Sequence, residues 1–322
     1  MDRRWPLLEA FPSLDVLPRV SLRDRVTPVE HLEAISPRLW VKRDDLTAPA
    51  MGGNKVRSLE LLLGGISGGE EVVTAGARGS THALTTAVHA RSLGAGATVG
   101  WWPQQMNPIA KEVADRLDHE TKRIGFPNAA LALAWLQWRQ WRGARVIPAG
   151  GTSPLGILGH VNAAFELAAQ IRSGELPTPA RVVVPLGTGG TAAGLALGFS
   201  LAGVRTTVLA ARVVPRIVGR HGRVMRLARA ARRLIERTTG HALGTRPVDV
   251  AVVQSVYGGA YGRPLEGAES WGDRLAAMGV GVDPTYSAKA FVAAVESAGT
   301  AETLFWLTFD SRWITSRTQD GP

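Results

Sequence analysis

The 322-residue chain contains no cysteine, which removes disulfide bonds, a thiolate nucleophile and cysteine-bound metals from consideration. Histidine is sparse as well: there are seven, none in the H-x-x-x-H spacing by which a helix grips a metal, so no metal site is expected. No apolar run reaches the roughly 20 residues needed to span a bilayer, so no membrane contact is expected. The opening Met1-Asp2-Arg3-Arg4-Trp5-Pro6 lacks the apolar segment of a secretory signal, and cytoplasmic residence is the expectation. Acids are in the minority, 27 against 37 Lys and Arg, for a formal net charge of +10. Internal repeats and low-complexity tracts are absent too.

What is present fits one compact enzyme. Hydrophobic residues make up 45% of the chain and charged residues 20%, the balance of a soluble globular protein. Such a length buries a large core and suits one large or two modest domains. The basic excess concentrates in residues 216–237, where Arg220, Arg223, Arg226, Arg229, Arg232, Arg233 and Arg237 interleave with Val224, Leu227, Leu234 and Ile235. Those apolar positions recur at helical spacing, so the segment reads as an amphipathic helix with a solvated basic face. Trp135, Trp138 and Trp141, beside Arg139 and Arg142, fall on one helical stripe, which points to core or a subunit contact. No recognised nucleic-acid motif accompanies this charge, and nucleic acid is not expected as a partner.

Strands alternate with helices along the chain, which predicts an α/β architecture with parallel sheets. Residues 71–76 read as strand and turn, 80–93 as a helix capped by Ser80 or Thr81, and 97–103 as the next strand. Helical periods cover 111–123 and 129–142; 145–148 is a short strand, and 165–171 continues a helix. Residues 206–214 and 248–253 read as buried strands. The tail after Ser311 is polar and reads as frayed.

Two segments carry chemistry. Lys55 sits in Gly52-Gly53-Asn54-Lys55-Val56-Arg57, just after Val41-Lys42-Arg43-Asp44-Asp45-Leu46. A lysine held in a turn between apolar runs is a nucleophile only when partly desolvated, so that its pKa falls and it condenses with an aldehyde. Most lysines are simply solvated, so the surroundings decide. Downstream, Arg181-Val182-Val183-Val184-Pro185-Leu186 leads into Gly187-Thr188-Gly189-Gly190-Thr191 and an Ala-rich apolar stretch: strand, glycine loop, helix. Backbone N–H groups of such a loop, the Thr188 and Thr191 hydroxyls and the helix N-terminus suit a phosphate. The plain alternative is a tight strand-to-helix turn. A lysine nucleophile with a separate phosphate cradle is the minimum set for pyridoxal 5'-phosphate (PLP).

These segments resemble the tryptophan-synthase-β-like, or fold type II, PLP enzymes, and within them the ACC deaminase/D-cysteine desulfhydrase family (ACC, 1-aminocyclopropane-1-carboxylate). The matching text is Leu39-Trp40-Val41-Lys42-Arg43-Asp44-Asp45-Leu46, Gly52-Gly53-Asn54-Lys55-Val56-Arg57-Ser58-Leu59-Glu60, Gly150-Gly151-Thr152-Ser153-Pro154-Leu155-Gly156, the 187–194 loop, Tyr261-Gly262-Arg263-Pro264 and Asp283-Pro284-Thr285-Tyr286-Ser287. The resemblance spans roughly residues 12–310. It implies two open α/β domains with PLP in the cleft between them, the large one from residues 1–59 and 164–322, the small one from 60–163. It also implies a homodimer acting on a small amino acid.

Residue by residue, the resemblance makes Lys55 the lysine that carries PLP and moves the substrate's Cα proton. Ser80, Thr81 and His82 match the triplet beside cofactor and substrate, although capping alone would explain Ser80. Tyr261 and Tyr286 match tyrosines flanking the substrate, and read without the family they are buried aromatics. Asn54, Thr81 and residues 187–191 match cofactor contacts, and Thr308 stands at the pyridine nitrogen. An uncharged hydroxyl there favours elimination over transamination. Ser287, where ACC deaminases carry Glu, tilts the expectation toward β-elimination in the manner of D-cysteine desulfhydrase. ACC deamination, β-replacement, racemisation, a specialised biosynthetic step or a non-catalytic homologue are the alternatives. The chain departs from the family pattern at Ser58, Gly79, Thr81, His160 and the Leu307-Thr308-Phe309-Asp310 run.

Overall fold

A computed structural model describes residues 5–244, 247–259, 263 and 265–315. The strands are β1 (Val29–His31), β2 (Leu39–Arg43), β3 (Glu71–Ala77), β4 (Gly96–Trp102), β5 (Lys122–Gly125), β6 (Arg145–Val146), β7 (Arg181–Leu186), β8 (Thr207–Arg212), β9 (Val250–Val253) and β10 (Thr303–Leu307). The helices are α1 (Pro6–Ala10), α2 (Asn54–Leu62), α3 (Thr81–Ser92), α4 (Pro108–Glu120), α5 (Ala129–Trp141), α6 (Pro154–Arg172), α7 (Gly190–Ala202), α8 (His221–Thr239), α9 (Ala268–Ala276), α10 (Ser287–Ala298) and α11 (Arg312–Thr315).

The strands form two sheets, a six-stranded one in the order β1-β2-β10-β7-β8-β9 and a four-stranded one in the order β5-β4-β3-β6. Every pairing is parallel except β1 with β2. The expected α/β architecture with parallel sheets is therefore what the chain adopts. The central strand β7 shows why its sequence is an unbroken valine run: Val182, Val183 and Val184 are all fully buried, because helices cover both faces of the sheet. Val182 and Val184 meet α6, α7 and α8 in one core, and Val183 meets α10 in another. The domain limits drawn from the resemblance, 59/60 and 163/164, run through α2 and α6, which pass them without a break.

Four expectations are corrected. Lys122 and Arg123, placed at the end of the 111–123 helix by period, belong instead to β5, paired with β4 from Thr98 to Trp101. The basic helix begins at His221; the Arg216 end is a turn in which Pro215 O accepts the N–H groups of Val218 and Gly219. Of the two places expected for the tryptophan stripe, core or a subunit contact, core is excluded for Trp138 and Trp141, which are 51% and 80% exposed, while Trp135 packs against Phe126. The tail is not frayed at Ser311: residues 312–315 are helical, and Arg312 is tied to Asp310 and to the carbonyls of Asp45 and Ala48. Among the described residues no helix is long and apolar enough to cross a membrane, and no group of three or more His, Asp or Glu is placed to hold a metal.

Candidate active site

Lys55 is the second residue of α2, and the loop before it is fixed from both sides. Gly52 admits no side chain, since a Cβ there would lie 2.2 Å from Asp45 O. Gly53 takes φ +105, and a Cβ there would meet Thr308 O at 2.7 Å. The segment after β10 supplies the clamp. Asn54 N donates to Thr308 O at 3.1 Å, Gly52 N donates to Asp310 Oδ2 at 2.9 Å, and Arg312 joins Asp310 to the carbonyls of Asp45 and Ala48. Met51, at φ 50, is the one non-glycine with positive φ among the described residues, and it lines the cavity into which Lys55 points.

That cavity has a volume of about 410 Å³, within the range of roughly 300–1,000 Å³ typical of small-molecule sites. The Lys55 amine makes no hydrogen bond or ion pair among the described residues, and desolvation lowers its pKa to about 8. The side chain is only partly covered, but the uncovered part opens onto the cavity. The lowered pKa raises the share of unprotonated amine available near neutral pH, and condensation with an aldehyde needs that form.

The glycine loop lies on the same cavity. Gly187, Thr188, Gly189 and Thr191 line it, and Gly189 turns left-handed at φ 95 to start α7. The first amides of α7 have no acceptor within the helix, and they bring the positive end of its dipole to the wall. Thr188 Oγ1 lies 2.6 Å from Thr152 Oγ1, and Thr191 Oγ1 accepts from Asn54 Nδ2 at 2.8 Å. Gly190 is not part of the wall; a Cβ there would face the Thr152 hydroxyl at 3.1 Å.

A second helix N-terminus, that of α3, faces the cavity through Ser80, Thr81 and His82. Ser80 does cap it, accepting the Ala83 N–H at 3.3 Å, and it lines the cavity as well. His82 packs its Nε2 against Thr74 Oγ1 at 3.2 Å and is neutral, its pKa pushed to about 3 by burial and by the nearby Lys55 charge. Tyr286 lines the cavity close to Gly187, positioned because Asp283 accepts the N–H groups of Thr285, Tyr286 and Ser287. Thr308 and Asn54 are also on the wall. Tyr261 lies outside the described residues.

Ser287 is fully buried at the start of α10, beside the wall residue Tyr286, and is not itself among the residues lining the cavity. Sequence reasoning missed much of the apolar wall, formed by Met51, Trp102, Val214, Val218 and Trp313. Nothing in their local spacing marks them; they come from four separate segments, Val214 and Val218 sharing the connection from β8 to α8.

A family model described as pyridoxal-phosphate dependent enzyme matches residues 20–304, which hold all of these features except the segment after β10. The chain belongs to the pyridoxal-phosphate-dependent enzymes. Among the proteins similar to it are the nocardicin C-9' epimerase of Nocardia uniformis subsp. tsuyamanensis, 35% identical over 93% of this chain and 94% of the relative, and the D-cysteine desulfhydrase of Salmonella choleraesuis strain SC-B67, 31% identical over 87% and 88%. An ACC deaminase homologue of known crystal structure superposes with a TM-score of 0.77 at 27% identity, covering 96% of this chain and 98% of that one. This PLP enzyme therefore falls in the ACC deaminase/D-cysteine desulfhydrase family, with the tryptophan-synthase-β-like fold. The residues present fit the cofactor: a desolvated, unpaired lysine and a glycine-lined anion cradle share one cavity.

Proposed function

We propose that this enzyme abstracts the Cα proton of a small amino acid through Lys55 and completes a β-elimination like that of D-cysteine desulfhydrase. The observation that carries the reading is the Lys55 amine: desolvated, free of partners and on the same wall as the cradle and the α3 N-terminus. Bound PLP supplies the electron sink that makes the Cα–H acidic. Residues 187–191 hold the phosphate, with hydroxyl donors from Thr188 and Thr191. The N–H groups of Thr81 and His82, which lack acceptors within α3, take the substrate carboxylate, and Ser80 stands beside it. Thr308 meets the ring nitrogen with an uncharged hydroxyl, while Asn54 steadies the cradle through Thr191. Tyr286 and Tyr261 flank the substrate and protonate or steer its leaving group. The smaller sheet and α3–α5 form the small domain, the rest forms the large one, and the chain works as a homodimer.

Epimerisation is the second reading, favoured by the 35% identity to an epimerase. Both readings use Lys55 for the first proton transfer, and they part only at the next step, where either a β-substituent leaves or the proton returns on the other face. Incubating the PLP-loaded protein in D₂O with D-cysteine, L-cysteine, ACC and β-unsubstituted amino acids separates them. Keto acid and ammonia mean elimination. Recovered amino acid with deuterium at Cα and inverted configuration means epimerisation. Absence of both from every substrate sinks the proposal.

A further inference from the structure

Running from the cavity wall into the interior, four polar side chains from three helices form one hydrogen-bonded chain. Asn54 and Ser58 flank Lys55 on α2, His160 comes from α6 and Thr191 from α7. All are at most 7% exposed. Asn54 Nδ2 donates to Thr191 Oγ1 at 2.8 Å, and His160 Nε2 lies 3.0 Å from Ser58 Oγ and 3.4 Å from Thr191 Oγ1. The backbones approach closely enough because residue 194 is glycine: a Cβ there would stand 2.4 Å from His160 Cβ.

The chemistry of each group fixes the direction of the chain. Burial, with help from the Lys55 and Arg57 charges, holds the His160 pKa well below its ordinary value, so the ring is neutral. Its Nδ1 has no partner among the described residues, so Nε2 does all of its hydrogen bonding. A neutral imidazole nitrogen offers one proton or one lone pair, and whichever it is, the nearer Ser58 engages it first. Thr191 has already accepted the Asn54 N–H. Thr191 keeps its own O–H and one lone pair, and with the cavity on its open side the O–H is the group it can turn toward an anion there.

We infer that Ser58 and His160 are a positioning pair that keeps the Thr191 hydroxyl free to donate to the PLP phosphate. Without Ser58, Nε2 would turn to Thr191 and compete for that hydroxyl. Without the imidazole, Thr191 would lose the wall behind it that sets its rotamer. The inference rests on the placement of the phosphate at residues 187–191 proposed above.

The test is binding to cofactor-stripped protein, comparing PLP with pyridoxal, which lacks only the phosphate, in wild type and in Thr191→Val, Ser58→Ala, His160→Phe and His160→Gln. The expected result is that Ser58→Ala and His160→Phe weaken PLP on the order of tenfold, the cost of a misdirected hydrogen bond to a charged group, and leave pyridoxal unchanged. His160→Gln, whose amide nitrogen reaches the Nε2 position, retains the preference for PLP. If both ligands weaken together, or neither does, His160 and Ser58 merely pack and the inference is overturned. Thr191→Val separates the two levels: no loss of PLP over pyridoxal removes the phosphate placement itself, whereas a loss there without one in Ser58→Ala overturns only the positioning pair.

Discussion

Two lysines of one sequence motif, Lys42 and Lys55, meet opposite fates. Lys42, on β2, is fully buried and uses its ammonium to donate to Thr27 O at 2.6 Å, Glu166 Oε1 at 2.7 Å and Gln170 Oε1 at 2.5 Å. It belongs to a sealed ionic cluster in which Arg23 and Arg57 also contact Glu166, Arg57 pairs with Asp44 at 2.6 Å, and Arg23 pairs with Glu60 at 2.7 Å. Burial pulls the Lys42 pKa down while Glu166 holds it up. Lys55, one helical start away, has desolvation and nothing to oppose it. The lesson concerns partners rather than burial: a lysine whose donors are all engaged is structural, and one with no partner among the described residues, facing a cavity, keeps its amine available for chemistry.

The largest expected effect removes the unpartnered member. Lys55→Ala should abolish borohydride-reducible attachment of PLP entirely; a reducible adduct persisting in that variant would move the nucleophile elsewhere. Next comes the partnered side. Glu166 accepts from Lys42, Arg23, Arg57 and Thr27, so Glu166→Gln leaves a cluster of cations short of an anion. Breaking a buried pair in this way costs about 3–5 kcal/mol, to be read from denaturant unfolding, and a loss under about 1 kcal/mol would mean the cluster relaxes or hydrates.

The comparison sharpens with pH. Lys55 falls from 10.5 to about 8, so its penalty for carrying charge in the fold applies in full below about pH 8 and lifts as pH rises toward 10.5. Borohydride-trapped attachment of pyridoxal to the cofactor-stripped protein should therefore rise through a midpoint near pH 8; a midpoint near 10.5 would show Lys55 to be solvated. Glu166 runs the other way: the surrounding cations hold its pKa well below the ordinary carboxylate value, so its stabilisation is present above that value and is lost as pH falls through the lowered one. The smallest effect is local. Ser80→Ala should cost about 1 kcal/mol for the lost cap, and turnover that survives unchanged would leave Ser80 only that role.

Much of this was legible because the signals are local. A valine run flanked by helices marked β7, Ser80 before an apolar stretch marked the start of α3, and Gly187-Thr188-Gly189 marked a strand-to-helix turn with free amides. Misreadings occurred where the deciding partner is distant. Lys122–Gly125 is a strand because β4 is beside it, despite a helical period running into it. Trp313 joins the cavity wall because Arg312 anchors its segment to Asp45 and Ala48.

By itself, then, the sequence determined the alternation of elements, the lysine after its Gly-Asn turn and the glycine loop before α7, since each depends on residues a few positions apart and on backbone geometry that glycine and capping residues impose directly. Only the tertiary structure decided which charges cancel. The contacts that make Lys42 inert span 124 residues to Glu166 and 128 to Gln170, and those that lean on Thr191 span 137 from Asn54 and 31 from His160. A charge in a low-dielectric interior is governed by whatever lies within a few ångströms, and chain separation carries no information about that distance until the helices and sheets have packed.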